Sequence, residues 1–93
     1  MSILKSQMLE NKFSFEVLLN LYKNGEQNKQ TLYASVSKST MTVADRVNEL
    51  KEMGLIEIEI RRFNSNVHFV SLTEKGKKVA EKIQEIESIL SEN

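Results

Sequence analysis

Cysteine and proline are both absent from this chain, and histidine occurs once. Without cysteine there is no disulfide, no thiolate metal site and no cysteine nucleophile. The lone His68 builds no metal centre unless several carboxylates converge on it, so no metal is expected. No nucleophile–base pair, phosphate loop or ligand cluster is visible, and 93 residues leave little chain to enclose a pocket. Neither an enzyme nor a small-molecule cofactor is expected. No apolar run approaches the roughly 20 residues of a membrane span. The start, Met1-Ser2-Ile3-Leu4-Lys5-Ser6-Gln7, is too short and polar for a secretory signal. These absences predict an intracellular, cytoplasmic protein without a membrane partner.

An excess of charge is also missing: 13 basic side chains face 13 acidic ones. That balance counts against a binder held to phosphates by bulk charge alone. The distribution is less even. Arg61, Arg62, Lys75, Lys77, Lys78 and Lys82 stand close together against Glu74 and Glu81, while Glu85, Glu87 and Glu92 make the final residues acidic. No linker, repeat or low-complexity tract divides the chain, so residues 1–93 read as one domain.

What is present is periodicity. Met8, Leu9, Phe13, Phe15, Val17, Leu18, Leu21 and Tyr22 fit a buried helix that stops at Lys23-Asn24-Gly25. The pattern leaves open whether residues 2–10 form a separate short helix. Glu26-Gln27-Asn28-Lys29 reads as a polar loop. Gln30 to Val36 reads as a short helix with Leu32, Ala34 and Val36 inward. After Ser37-Lys38, a third helix of about residues 39–53 is expected, capped by the side chain of Ser39 or Thr40. At about 100° per residue, Val43, Val47 and Leu50 share one face. Met41, Asp45, Asn48 and Glu52 lie opposite, with Thr42 and Arg46 flanking. Gly54 closes the helix.

Strict alternation follows, with Ile56, Ile58 and Ile60 inward and Glu57, Glu59 and Arg61 outward. A second strand ends at Leu72. The two are joined through Phe63-Asn64-Ser65-Asn66, where asparagine tolerates the left-handed backbone a tight hairpin uses. Phe63 and Phe69 are expected to cover the core, and His68 to be a structural strand residue. Thr73 caps a last helix, residues 74–91. Along it Val79, Ile83, Ile86 and Leu90 are spaced four, three, four, the seam of a coiled coil. That stripe predicts a homodimer contact; the competing reading folds it back on the first helix of its own chain.

Three helices followed by a hairpin is a winged helix, the helix-turn-helix variant whose last motif helix enters the major groove. The predicted class is α+β, mostly helical: a three-helix core, a two-stranded wing and a long C-terminal helix. Thr42-Val43, Val47, Leu50, Gly54-Leu55-Ile56 and Leu72-Thr73-Glu74-Lys75-Gly76 resemble the DNA-binding core of the MarR and PadR families of transcriptional regulators, over about residues 13–80. The resemblance implies that Ser39, Thr40, Thr42, Asp45, Arg46 and Asn48 serve the groove-facing part of the recognition helix, with Lys38 on a phosphate. It places Arg61, Arg62 and Asn64 on the wing at about residues 56–72, against the backbone or minor groove. It departs from the families at Asp45, where MarR-like proteins often carry arginine.

The chemistry suits those places. Hydroxyls at a helix N-terminus join backbone N–H groups on phosphate, asparagine reads adenine, and arginines enter minor grooves. A sequence-specific regulator of double-stranded DNA is therefore the leading expectation. The alternative is a winged helix that binds proteins and no DNA, favoured by zero net charge and by Asp45, Glu49 and Glu52 near the reading face.

Overall fold

The end of the helix Thr40–Glu52 shows how local chemistry sets this fold. Gly54 takes φ +79°, a left-handed conformation that glycine alone adopts without a Cβ penalty. The Gly54 N–H donates to the Lys51 carbonyl and the Leu55 N–H to the Leu50 carbonyl, both at 3.0 Å. This pair of bonds is the Schellman closure, and its accompanying apolar contact is there too: Leu50 and Leu55 are both buried.

A computed structural model describes residues 4–92. A 3₁₀ segment, Lys5–Glu10, precedes α1 (Ser14–Asn24), β1 (Gln27–Asn28), α2 (Lys29–Val36), α3 (Thr40–Glu52), β2 (Ile56–Arg62), β3 (Asn66–Leu72) and α4 (Glu74–Leu90). The sheet is antiparallel throughout, in the order β1-β3-β2. The core gathers Val17, Leu18 and Leu21 of α1, Leu32 of α2, Val43, Val47 and Leu50 of α3, Val70 and Leu72 of β3, and Ala80 and Ile83 of α4. Among the described residues no helix is long and apolar enough to cross a membrane, and no group of side chains could hold a metal.

The start of α4 is locked to the end of α3. The Thr73 side chain accepts from the Gly76 N–H at 3.0 Å, capping α4, and donates to the Gly54 carbonyl at 2.6 Å. The Thr73 N–H reaches the Leu55 carbonyl at 3.0 Å. Lys75 Nζ adds a bond to the Met53 carbonyl at 3.3 Å, a cation at a helix C-terminus. Gly76 packs so closely that a Cβ there would lie 1.8 Å from the Leu55 carbonyl oxygen. The Leu-Thr-Glu-Lys-Gly run is thus a packing device joining two helix ends.

Several expectations are corrected. Gln27 and Asn28 leave the expected loop and pair with Val70 and Phe69, adding a third strand. Two residues are too few to show alternation, and Asn28 also caps α2 by accepting from the Thr31 N–H at 2.8 Å. Ala34 is exposed, while Tyr33 and Val36 half-cover the core beside Leu32. Val36 lies one turn from Leu32; Ala34 points the other way. The side chain of neither Ser39 nor Thr40 caps α3: Ser39 heads the helix without a side-chain bond, and its own N–H donates to Ser37 Oγ at 3.1 Å.

The hairpin also differs at its tip. Ile60 is 59% exposed, because the wing extends past the helices that cover Ile56. The turn has no residue at positive φ, so neither Asn64 nor Asn66 is left-handed. Phe63 is exposed and sets its edge on Phe69 with ring centroids 6.3 Å apart; it does not cover the core. His68 is half-buried opposite Ile60, as a strand residue should be.

At the other end, the helical pattern that began with Met8 is broken. Phe13 adopts φ +73° between the 3₁₀ segment and α1, so residues 5–10 stand apart from the first helix, while residues 2 and 3 lie outside the described ones.

Candidate nucleic-acid interface

α3 is amphipathic because its apolar residues recur every three or four positions, and burial of Val43, Val47 and Leu50 fixes which side faces out. Met41, Asp45, Asn48 and Glu52 are all exposed. Among the described residues none of the four makes a side-chain hydrogen bond or an ion pair within the chain. Thr42 is half-buried at the edge of this stripe, and Lys38, Ser39 and Thr40 are exposed at its N-terminal end. The structure therefore brings Lys38, Ser39, Thr40, Asp45 and Asn48 onto one accessible end and face of α3.

Arg46 does not join them. Its side chain is only 13% exposed and pairs with Glu49 one turn on. Glu49 also accepts from the Asn11 side chain at 3.0 Å. The Asn11 amide and the Arg46 guanidinium stabilise the Glu49 carboxylate and hold its pKa below the ordinary value. This small network ties the residues ahead of α1 to the flank of α3. Asn11 had no local sequence signal to announce it, since its partner lies far along the chain.

The two wing arginines part company in the same way. Arg61 Nη1 lies 2.8 Å from Glu26 and its Nε 3.0 Å from Glu59, and its guanidinium sits 4.4 Å from the centre of the Phe69 ring. Hydrogen bonds that Arg61 donates to Glu59 and then to Glu26 push the Arg61 pKa up, and the same contact with Arg61 lowers that of Glu59. Arg61 is thereby committed to clamping the α1–β1 turn against the wing. Arg62, next to it but on the other face of the strand, is exposed and makes no ion pair among the described residues; Asn64 is exposed at the tip.

The predicted dimer stripe on α4 divides in two. Val79 is half-buried and Ile83 buried against the chain's own core, so the first half folds back on the same chain. Ile86, Ile89 and Leu90 are exposed. Ile89 was not among the expected residues, because it falls outside a strict four-three-four spacing. Beside this half runs an open apolar groove of about 630 Å³, walled by Leu9 of the 3₁₀ segment, Phe15, Val79, Ile83 and Ile86. Lys77 and Lys82 pair with Glu74 and Glu85 along the exposed side of α4, so two of its lysines are matched within the helix.

Residues 8–93 match the HxlR-like helix-turn-helix family. The chain belongs to that family. Among solved structures it is similar to a regulator assigned to the MarR family from Porphyromonas gingivalis W83, with a TM-score of 0.82 and 21% identity over 100% of this chain and 97% of that one. It is similar also to a transcriptional regulator homologue from Pyrococcus horikoshii OT3, with a TM-score of 0.79 and 14% identity over 92% and 87% of the two chains. The reduced form of the transcriptional regulator YodB from B. subtilis superposes with a TM-score of 0.74 and 18% identity over 95% and 90%. No match was found among curated proteins. These likenesses carry the winged-helix fold, and family membership places this HxlR-like chain among helix-turn-helix, DNA-binding transcription regulators. YodB has also been determined after diamide treatment. This sequence contains no cysteine.

Proposed function

We propose that this HxlR-like chain is a sequence-specific regulator that binds double-stranded DNA as a homodimer, α3 in the major groove and the wing on the backbone or minor groove. The observation that carries this reading is the outward face of α3. It is a full helix face whose polar groups find no partner among the described residues, flanked by Lys38 at one end. Lys38, Ser39 and Thr40 meet phosphate at the helix N-terminus, and Asp45 and Asn48 face base edges. Of the wing residues, Arg62 and Asn64 reach DNA, while Arg61 and Arg46 act as positioning residues that hold the wing and the flank of α3.

A second copy covers Ile86, Ile89 and Leu90 and the groove beside Leu9 and Phe15, leaving Val79 and Ile83 mainly to the monomer's own core. The two recognition helices then address half-sites about one helical turn, ~34 Å, apart. No small-molecule cofactor and no catalytic step enters this reading, which places the protein in the cytoplasm with its DNA.

The test is selection of bound duplexes from random DNA, followed by titration of the selected site at several salt concentrations. Affinity should fall as salt rises, and light scattering should give twice the chain mass. A protein that binds no duplex at low salt overturns the reading. The acidic residues Asp45, Glu49 and Glu52 favour one other use, a protein-interaction face. Partner capture without salt-dependent DNA binding would establish that alternative.

A further inference from the structure

The stripe of α3 that faces outward is unusual in what it offers a base pair. Met41, at the first turn, is 83% exposed, the most exposed of the large apolar side chains among the described residues. No core position needs it and no neighbour covers it. Four and seven residues on, along the same face, come Asp45 and Asn48. The cations nearby stand off this stripe: Lys38 lies ahead of the first turn, Arg46 is drawn aside to Glu49, and Lys51 follows on the flank. In the major groove guanine presents only acceptors, which arginine or lysine usually reads, whereas thymine presents a methyl group and cytosine an amino donor. Asp45 accepts and does not donate. The exposed thioether of Met41 is flexible and apolar, suited to pack on a methyl group.

We propose that Met41 is a specificity-determining residue that reads the C5-methyl of thymine in the major groove, with Asp45 accepting from an amino group on the next base along. This rests on the reading of α3 as the DNA-contacting helix. It adds the class of base edge that the helix selects: methyl groups and exocyclic amines, not the acceptor pair of guanine. The acidic residue that is out of place for a general phosphate binder is then in place, because its partner is a base amine.

The experiment uses the full chain and its selected duplex, made with thymine or with uracil at each major-groove position in turn. Uracil lacks only the methyl group. For the native protein, uracil at the contacted position should weaken binding about fourfold, the loss from one methyl-sized group. Met41→Ala should bind the thymine and uracil duplexes equally, and Met41→Leu should restore the preference for thymine. Met41 is mostly exposed and outside the core cluster, so each variant should melt with the native protein. Equal binding of thymine and uracil duplexes by the native protein overturns the inference while leaving DNA binding intact. So does a Met41→Ala loss of the same size on both duplexes. If the native protein selects no duplex at all, the DNA-binding reading falls and takes this inference with it.

Discussion

The C-terminal end of α3 and its outward face use their residues to opposite purpose. At its C-terminal end, Gly54, Thr73, Lys75 and Gly76 give nearly every polar group to another part of the chain. Along its outward face, Met41, Asp45 and Asn48 are exposed, with no side-chain bond to any other described residue. The end fixes where the helix points; the face is left for something outside the molecule. The contrast teaches that residue type alone does not separate a structural group from a binding one. Commitment to a partner does, and adjacent residues can differ in it completely, as Arg61 and Arg62 show.

The sharpest way to break the comparison is at the junction. Gly76→Ala drives a methyl group into the Leu55 carbonyl and should cost about 3 kcal/mol, lowering the melting temperature by roughly 15 °C. Asp45→Ala, on the open face, should leave thermal stability within about 0.5 kcal/mol. A melt of the two variants side by side tests both. Thr73→Ala removes the cap and its bond to Gly54 and falls between them, at about 1 kcal/mol, again by thermal melt.

The wing gives the same test at single-residue spacing. Arg62→Ala should leave the melt unchanged and lower the slope of log affinity against log salt by about one. Arg61→Ala should keep that slope and loosen the wing, seen as faster amide hydrogen exchange in β1 and β3. Equal effects of the two substitutions on the salt slope would erase the distinction between them.

How much of this was legible depended on how local the cause was. The α3 period, its stop at Gly54 and the cap at Thr73 are written within a few residues, and each is present in the structure. β1 is not legible, because two residues carry no period and their pairing is supplied by Val70 and Phe69 on a distant strand. The fate of Arg61 is hidden for the same reason: Glu26, its partner, is 35 positions away. Ile60 follows the alternation perfectly yet is exposed, since period fixes the face of a strand but not where the covering layer ends. The α4 stripe shows both effects, one half covered by α1 and the other left open.

The smallest expected effect concerns Glu49. Its pKa is lowered in the folded state, chiefly by the Asn11 amide and also by Arg46. The unfolded chain therefore binds the extra proton first as pH falls, so this stability is complete above the ordinary carboxylate value and is lost as pH drops through the folded one. Denaturant unfolding of the native protein should weaken in that acid range slightly more steeply than that of Asn11→Ala. Glu49 is partly exposed, so the difference should be well under 1 kcal/mol.

Phe13 carries a consequence for the apolar groove. Its left-handed backbone is the joint between the 3₁₀ segment, which supplies one wall, and α1, which supplies part of the floor. The opposite wall belongs to α4. The conformation of the short joint from Asn11 to Phe13 therefore sets how wide the groove between the 3₁₀ segment and α4 stands open.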